Sequence, residues 1–249
     1  MAYTTINKSG DYFNTKLYTG NNGTQAITGV GFAPDLVWTK ARNGTNSHLW
    51  YDKVRGVHKY IRSDQTGAEG TATNTLTSFD SDGFTVGDGD NGNASGANGV
   101  AWNWKANGAG SANTDGSINT TATSVNTTAG FSISQYTGTG SAATIGHGLS
   151  AAPKVVLIKR TSTTGNWVLG HGSLGFTKFL EFTSGAAQTH SGRFNDTAPT
   201  SSVFSVGNTS EVNSSGATFI AYCFAEKTGY SKFGSYTGNG NADGTFVYT

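Results

Sequence analysis

The sequence predicts an all-β protein made of tandem β-sandwich repeats with a jelly-roll-like organisation. Apolar residues alternate or come in short runs, and glycine or Asn/Asp-Gly pairs interrupt the chain about every ten residues. Little of the sequence shows the spacing of three to four residues that is typical of an amphipathic helix. Short strands joined by tight turns favour a sandwich or a jelly roll.

Internal repetition organises the predicted strands. The tripeptide Tyr-Thr-Gly starts at Tyr18, Tyr136 and Tyr236, and the stretches that follow the first two copies resemble each other. In both stretches a proline is followed six residues later by a lysine, and then by a tryptophan, Trp50 or Trp167. We therefore expect two corresponding units and the beginning of another.

The repetition sets the expected domain boundaries. We predict a first β-sandwich repeat at residues 1–106 and a second at 130–235, each large enough to bury its own core. Residues 107–129, which are rich in Gly, Ser, Thr and Asn, are predicted to form a linker or an edge loop. Residues 236–249 are expected to begin an incomplete third repeat, because the chain is truncated there or because another unit completes its strand.

Apolar or β-branched runs bounded by Gly, Asn and Asp predict strands in each unit, and these include four that correspond between the units. In the first unit they are Leu36–Lys40, Lys59–Arg62, Gly83–Val86 and Gly99–Lys105. Their counterparts in the second unit are Val155–Lys159, Lys178–Phe182, Val203–Val206 and Thr218–Ala225. Gly, Asn and Asp between these runs reach the backbone angles that tight β connections require.

Charge and composition exclude two classes of partner. Charged residues make up 12% of the chain, against about 25% in typical domains, and the formal net charge is +1. Nucleic acids and anionic membranes attract clusters of Lys and Arg, so we expect no nucleic-acid binding. No apolar run reaches the length of a membrane helix, so no membrane insertion is expected. The first residues lack the pattern of a signal peptide, which predicts synthesis in a cytoplasm without export.

No arrangement of residues predicts catalysis. The five histidines are scattered singly, without the spacing of a metal site, and no Gly-x-Ser-x-Gly nucleophile elbow is present. The glutamates form no recognisable glycosidase pair, whose carboxylates would stand about 5–5.5 Å or about 6.5–9.5 Å apart. We therefore predict a protein that is not an enzyme and that uses no cofactor.

Residues present in one unit but missing from the other are the better candidates for function, because both units would keep residues that the fold needs. After Trp50 the first unit has Tyr51, Asp52 and Arg55, whereas the stretch after Trp167 has none of these residue types. Two interpretations remain open. Asp52 and Arg55 form an ion pair that holds a turn, or all three residues belong to a ligand-binding loop.

Two further pairs of residues have competing interpretations. Trp102 and Trp104 lie on one face of a strand and resemble a sugar-stacking platform, but the second unit also keeps bulky residues there, which favours core packing. Asp88 and Asp90 lie in an acidic, glycine-rich stretch that offers oxygen ligands to calcium. That stretch lacks the terminal glutamate of an EF-hand loop, so a solvated turn is favoured and no metal site is predicted.

Several segments in combination resemble a known family. They are Met-Ala-Tyr-Thr-Thr-Ile at residues 1–6, Val-Arg-Gly-Val at 54–57, Ser-Phe-Asp-Ser-Asp-Gly-Phe at 78–84, Val-Ala-Trp-Asn-Trp-Lys at 100–105, Ala-Tyr-Cys-Phe-Ala-Glu-Lys at 221–227 and Gly-Tyr-Ser-Lys-Phe-Gly at 229–234. The chain is similar over essentially its whole length to repeat-containing structural, tail-fibre-like proteins of marine tailed bacteriophages. Members of that family typically continue into a third related unit.

The resemblance implies a virion location, and it fits a neutral chain of β repeats. We expect a non-enzymatic phage structural protein that serves as an appendage, a tail fibre or a capsid decoration protein. Its expected partners are further copies of itself, other virion proteins and glycans of the host surface, to which it contributes host attachment. It would be assembled in the host cytoplasm and exposed on the released particle. A carbohydrate-binding module that recognises a receptor and a polysaccharide-degrading enzyme are the alternatives.

Overall fold

The computed structural model describes residues 4–246. The first three residues of the predicted first unit and the last three of the predicted third repeat, 247–249, lie outside the described residues. The regular structure is nearly all β, which confirms the predicted all-β class. Two α-helices of four residues each, α1 (Ser191–Phe194) and α2 (Ser210–Asn213), lie in connections between strands. Within residues 4–246, no helix has the length and apolar character needed to cross a membrane.

Strands are numbered along the chain. They are β1 (Phe13–Thr19), β2 (Gln25–Thr28), β3 (Leu36–Ala41), β4 (Leu49–Asp52), β5 (Lys59–Arg62), β6 (Gly70–Thr71), β7 (Leu76–Asp80), β8 (Gly83–Val86), β9 (Asn98–Trp104), β10 (Ala122–Asn126), β11 (Phe131–Thr137), β12 (Ala143–Gly146), β13 (Val155–Arg160), β14 (Trp167–His171), β15 (Lys178–Glu181), β16 (Ser184–Thr189), β17 (Val203–Val206) and β18 (Thr218–Phe224). Short 3₁₀ turns span Ser9–Asp11 and Asn91–Asn93.

Two large antiparallel sheets dominate the architecture. The N-terminal sheet has the order β1-β9-β3-β4-β5-β6, and the C-terminal sheet has the order β10-β11-β18-β13-β14-β15-β16. Apart from β10, the two orders correspond strand by strand. Each large sheet is accompanied by a small one, β2-β8-β7 in the N-terminal half and β12-β17 in the C-terminal half.

The predicted strands agree closely with the structure. Lys59–Arg62, Gly83–Val86 and Val203–Val206 are observed with the predicted bounds, four others differ by one residue at one end, and Gly99–Lys105 is shifted by one residue at both ends. The stretch 107–129, predicted as a linker or an edge loop, contains β10, which forms the edge of the C-terminal sheet. The hydroxyl-rich sequence of β10 has no apolar alternation. It forms a strand because it pairs with β11.

The strand register corrects one detail of the sequence comparison. Trp38 pairs with Trp50 across β3 and β4, and Leu157 pairs with Leu169 across β13 and β14. Trp50 therefore corresponds to Leu169, and the expected correspondence between Trp50 and Trp167 is wrong by two residues. A shift of two residues keeps a side chain on the same face of a sheet. The two tryptophans do meet, with ring centroids 5.2 Å apart.

Three buried apolar clusters form the core. One lies within the N-terminal half and another within the C-terminal half, so each half buries a core of its own. The third cluster contains side chains of both large sheets. Trp50 and Ile61 enter it from the N-terminal sheet, and Trp167 and Tyr222 enter it from the C-terminal sheet. The two large sheets therefore pack against each other.

The alternation of side chains along β9 and β18 explains this arrangement. Ala101 and Ala221 belong to the clusters within the halves. On the opposite face, Tyr222 and the half-buried Trp104 belong to the cluster that the large sheets share. The bulky face that the sequence predicts to be packed is thus the contact between the sheets, although Trp102 on that face stays partly exposed.

Glycine closes the first two Tyr-Thr-Gly copies because the backbone approaches another segment there. A Cβ atom at Gly20 would lie 2.2 Å from Ala94 O, and one at Gly138 would lie 2.4 Å from Ser214 O. Both distances are far shorter than a van der Waals contact, so no larger residue fits without moving the chain. In the third copy Tyr236 is 72% exposed, which shows that this copy lacks the packing of the other two.

Candidate functional site

Asp52 and Arg55 form a buried ion pair at the turn that follows β4. Arg55 Nε donates to Asp52 Oδ2 at 2.6 Å, and the backbone N–H of Arg55 donates to Asp52 Oδ1 at 2.9 Å. Neither side chain is accessible to solvent. One bond joins the two side chains and the other joins the Asp52 side chain to the backbone of Arg55. Together they stabilise the turn, as the ion-pair interpretation predicts.

This ion pair also joins the two large sheets. Tyr222, on β18 of the C-terminal sheet, donates its hydroxyl to Asp52 Oδ2 at 2.7 Å. Arg55 Nη2 donates to Trp50 O at 2.9 Å, and Arg55 Nη1 donates to Glu69 Oε2 at 3.3 Å. Burying two charges is costly, and these additional bonds offset part of that cost.

In this cluster Arg55 stays charged and Tyr222 stays protonated. Burial alone would lower the pKa of Arg55, but the Asp52 carboxylate raises it above its ordinary value, so the guanidinium stays charged. Burial raises the pKa of Tyr222, and the neighbouring Asp52 carboxylate raises it further. The Tyr222 hydroxyl therefore remains a protonated donor to Asp52.

Tyr51 points to the other face of β4 and belongs to a second polar cluster, centred on Asp90. Tyr51 Oη and Thr39 Oγ1 donate to Asp90 Oδ2 at 2.8 and 3.0 Å, and the backbone N–H of Gly92 donates to Asp90 Oδ1 at 2.8 Å. Burial raises the pKa of Asp90 although these hydrogen bonds oppose that effect. The cluster holds the Asn91–Asn93 turn against the N-terminal sheet.

Tyr51, Asp52 and Arg55, which one interpretation assigns to a ligand-binding loop, are all buried. Tyr51 and Asp52 are 0% exposed, and Arg55 is 6% exposed. Tyr51 and Asp52 point to opposite faces of β4 and Arg55 lies in the turn after it, so the three side chains do not share one exposed surface. The register places glycine, histidine and leucine at the corresponding positions, Gly170, His171 and Leu174.

The two aspartates considered for calcium have different surroundings. Asp88 is exposed, and its Oδ1 accepts a hydrogen bond from Asn74 Nδ2 at 2.7 Å. Both carboxylate oxygens of Asp90 already accept hydrogen bonds from the protein. In the part of the chain that the structure describes, no three His, Cys, Asp or Glu side chains come together as a metal site would require.

Two asparagines that the sequence analysis missed have the same structural role in the two halves. Asn93 Nδ2 donates to Gly23 O at 2.6 Å and to Gly87 O at 2.9 Å. Asn213 makes the corresponding bonds, to Ser141 O at 2.5 Å and to Gly207 O at 2.9 Å. In both copies the asparagine stands six residues after the glycine of a Phe-x-Val-Gly motif, and this spacing was the signal in the sequence.

Two further side chains, Trp167 and Lys159, form polar contacts between the halves. Trp167 Nε1 donates to Arg62 O at 2.7 Å. Lys159 is fully buried, and its Nζ donates to three backbone carbonyls, including Thr66 O of the N-terminal half at 3.2 Å. Burial lowers the pKa of Lys159 to about 8. The corresponding residue, Lys40, bonds only to carbonyls of its own loop and is partly exposed.

A cavity of about 610 Å³ lies between the two large sheets. Trp38, Trp50 and Trp104 line it from the N-terminal sheet, and Leu157 and Leu169 line it from the C-terminal sheet. Among the described residues that line it, none carries a charge, a thiol or an imidazole. Its surface is therefore suited to holding an apolar molecule and not to acid–base chemistry. Its walls come from distant parts of the chain, so no local sequence signal could reveal it.

Comparison with known families gives one result. Residues 8–249 match the family described as Domain of unknown function (DUF7483). The chain belongs to this family. The match covers both large sheets, the cavity and both polar clusters, so all of these features lie within the family domain. Comparison with curated proteins and with solved structures gave no significant match.

Proposed function

We propose that this chain is a non-enzymatic structural protein of a phage virion, in which tandem β-sandwich units form an appendage, a fibre or a surface decoration. It assembles as a homo-oligomer, contacts other virion proteins and contributes to host attachment. The observation that carries the structural part of this proposal is the buried link between the large sheets. Asp52, Arg55 and Tyr222 are used to hold two halves of the chain together.

A rigid pair of sheets suits a protein whose task is mechanical. The aromatic cluster and the polar links join the N-terminal half to the C-terminal half. The surface carries few charges, because charged residues are only 12% of the chain. Low surface charge limits repulsion between neighbouring copies, and abundant Asn, Thr and Tyr side chains favour short hydrogen bonds between proteins.

The virion location rests on the resemblance to tail-fibre-like phage proteins, and it can be tested directly. Particles of the phage that encodes the chain are purified and analysed by quantitative mass spectrometry. We expect the protein at a copy number that is a fixed multiple of the other virion proteins. Light scattering of the purified chain is expected to show an oligomer, and incubation with host polysaccharide should release no reducing sugar. A monomer that is absent from the particles would overturn the proposal.

A further inference from the structure

We propose that the cavity between the two large sheets binds a free fatty acid, with its acyl chain between the sheets and its carboxylate at the mouth near Tyr12 and Lys105. This inference concerns a binding activity and goes beyond the structural function proposed above. It depends on three features of the cavity, which are its size, its apolar lining and the side chains at its mouth.

The size and lining of the cavity fit a small apolar molecule. Its volume of about 610 Å³ lies within the range of roughly 300–1,000 Å³ that is usual for sites of small ligands. Trp50 and Trp104 form one wall, and Leu157 and Leu169 form the opposite wall. Such a surface gains free energy when it covers methylene groups, because both partners leave water.

The same lining disfavours a sugar. Each hydroxyl group of a sugar needs a hydrogen-bond partner once it is removed from water. The hydroxyl-bearing side chains that line the cavity are two serines and two tyrosines, Ser9, Ser231, Tyr12 and Tyr230. All four come from the segments before β1 and after β18, whereas the other lining side chains carry no hydroxyl, and their only polar groups are the indole N–H groups of three tryptophans. An acyl chain with one polar end matches this distribution.

Two lining tyrosines, and a lysine beside one of them, offer donors for a carboxylate. Tyr12 and Tyr230 are half-buried and lie edge to face, with ring centroids 6.2 Å apart. Lys105 Nζ lies 6.0 Å from the centre of the Tyr12 ring and brings a positive charge to this end. Burial, followed by the effect of Tyr12, raises the pKa of Tyr230 to about 12, so its hydroxyl stays a donor. The acidic Glu226 nearby accepts the backbone N–H of Phe233.

The main experiment is a titration of the purified full chain with dodecanoate, followed by isothermal calorimetry and tryptophan fluorescence. Three tryptophans line the cavity, so occupancy changes their emission directly. We expect saturable binding of one dodecanoate per chain with a Kd on the order of micromolar. The absence of any heat or fluorescence change at about 100 µM dodecanoate would show that the cavity takes no fatty acid.

A matched pair of variants locates the site. Leu169→Trp fills the cavity from its wall, whereas Leu17→Trp makes the same change at a position that does not line the cavity and where Leu17 is 58% exposed. Both variants are first checked by circular dichroism and urea unfolding. We expect Leu169→Trp to weaken dodecanoate binding at least about tenfold, a loss of about 1.4 kcal/mol, and Leu17→Trp to bind as the wild type does. Equal binding by both variants would place the ligand elsewhere.

The position of the carboxylate is tested separately with Lys105→Gln and with dodecanol. We expect Lys105→Gln to weaken dodecanoate binding about fivefold and to leave dodecanol binding unchanged, since only the acid uses the charge. If dodecanol binds as tightly as dodecanoate and the variant affects neither, the carboxylate assignment is wrong. A loss of binding in Leu169→Trp alone would then assign the cavity to uncharged apolar molecules.

Discussion

Strand β4 and its turn differ from strand β14 and its turn, although the register places them at corresponding positions. The first carries Tyr51, Asp52 and Arg55, and the second has glycine, histidine and leucine there. Asp52 accepts a hydrogen bond from Tyr222 of the other half, and the position that corresponds to Tyr222 holds Trp102, which has no hydroxyl. Two similar halves that face each other need complementary surfaces. A residue that is present in one half and missing from the other can therefore belong to the contact between the halves as well as to a ligand site.

The largest effect is expected when Asp52 is removed and its counterpart His171 is used as the control. Asp52→Ala leaves the guanidinium of Arg55 buried without its main partner, and we expect a loss of about 3–5 kcal/mol in the free energy of unfolding. His171→Ala, at the partly exposed counterpart, should cost less than about 1 kcal/mol. Urea unfolding of the two variants measures the difference. Similar costs would mean that the ion pair contributes no more than an ordinary side chain.

A second pair of variants tests the two asparagines that have the same role in both halves. Asn93→Ala and Asn213→Ala each remove two side-chain donors to backbone carbonyls and leave those carbonyls without these partners. We expect each substitution to cost about 2–3 kcal/mol, with similar values in the two halves. Chemical denaturation followed by tryptophan fluorescence gives both values. A cost confined to one half would contradict the shared role.

Tyr51→Phe tests the Asp90 cluster, which the C-terminal half lacks. Losing the donor to a buried carboxylate is expected to cost about 1.5–2 kcal/mol at pH 7. The pKa of Asp90 is higher in the folded protein than in the unfolded chain, so the folded protein holds this proton more tightly. The stability that this adds is lost as the pH rises through the folded-state pKa. Removing a donor raises this pKa further, so the cost should shrink as the pH is lowered toward about 4.

Tyr18→Phe is the control for that experiment, since the Tyr18 hydroxyl lies at the longer distance of 3.5 Å from Asp90 Oδ1. We expect a smaller cost from it at pH 7. Thermal melts between pH 4 and pH 7 follow both variants. A cost of Tyr51→Phe that does not change with pH would show that Asp90 keeps the same charge throughout this range.

The last comparison concerns Lys159 and its counterpart Lys40. The pKa of Lys159 is lowered by burial to about 8, so the native state releases this proton before the unfolded chain does. Wild-type stability should therefore rise, relative to Lys159→Met, as the pH goes from about 8 to about 10. Lys40→Met keeps Lys159, so its stability should change with pH in parallel with that of the wild type. Melting temperatures across this range provide the measurement, and parallel curves for all three proteins would refute it.

The sequence predicted the bounds of several strands closely, but it did not predict what the candidate site residues contact. Runs such as Lys59–Arg62 and Val203–Val206 are apolar, bounded by turn residues and observed with the predicted bounds, because local composition is enough to define them. Strand β10 was missed because its pairing with β11 overrides a sequence without apolar alternation. Asp52 and Arg55 were correctly singled out, but their role depends on Tyr222, which lies 170 residues away.

The long-range links between the sheets also have a consequence for how the chain folds. Arg62 and Trp167 are separated by 105 residues, and Asp52 and Tyr222 by 170, so these bonds cannot form until most of the chain has been synthesised. Until then the aromatic face of the N-terminal sheet, with Trp50 and Trp104, faces water. We therefore expect a chain that ends before β11 to expose this apolar surface and to aggregate more readily than the full chain.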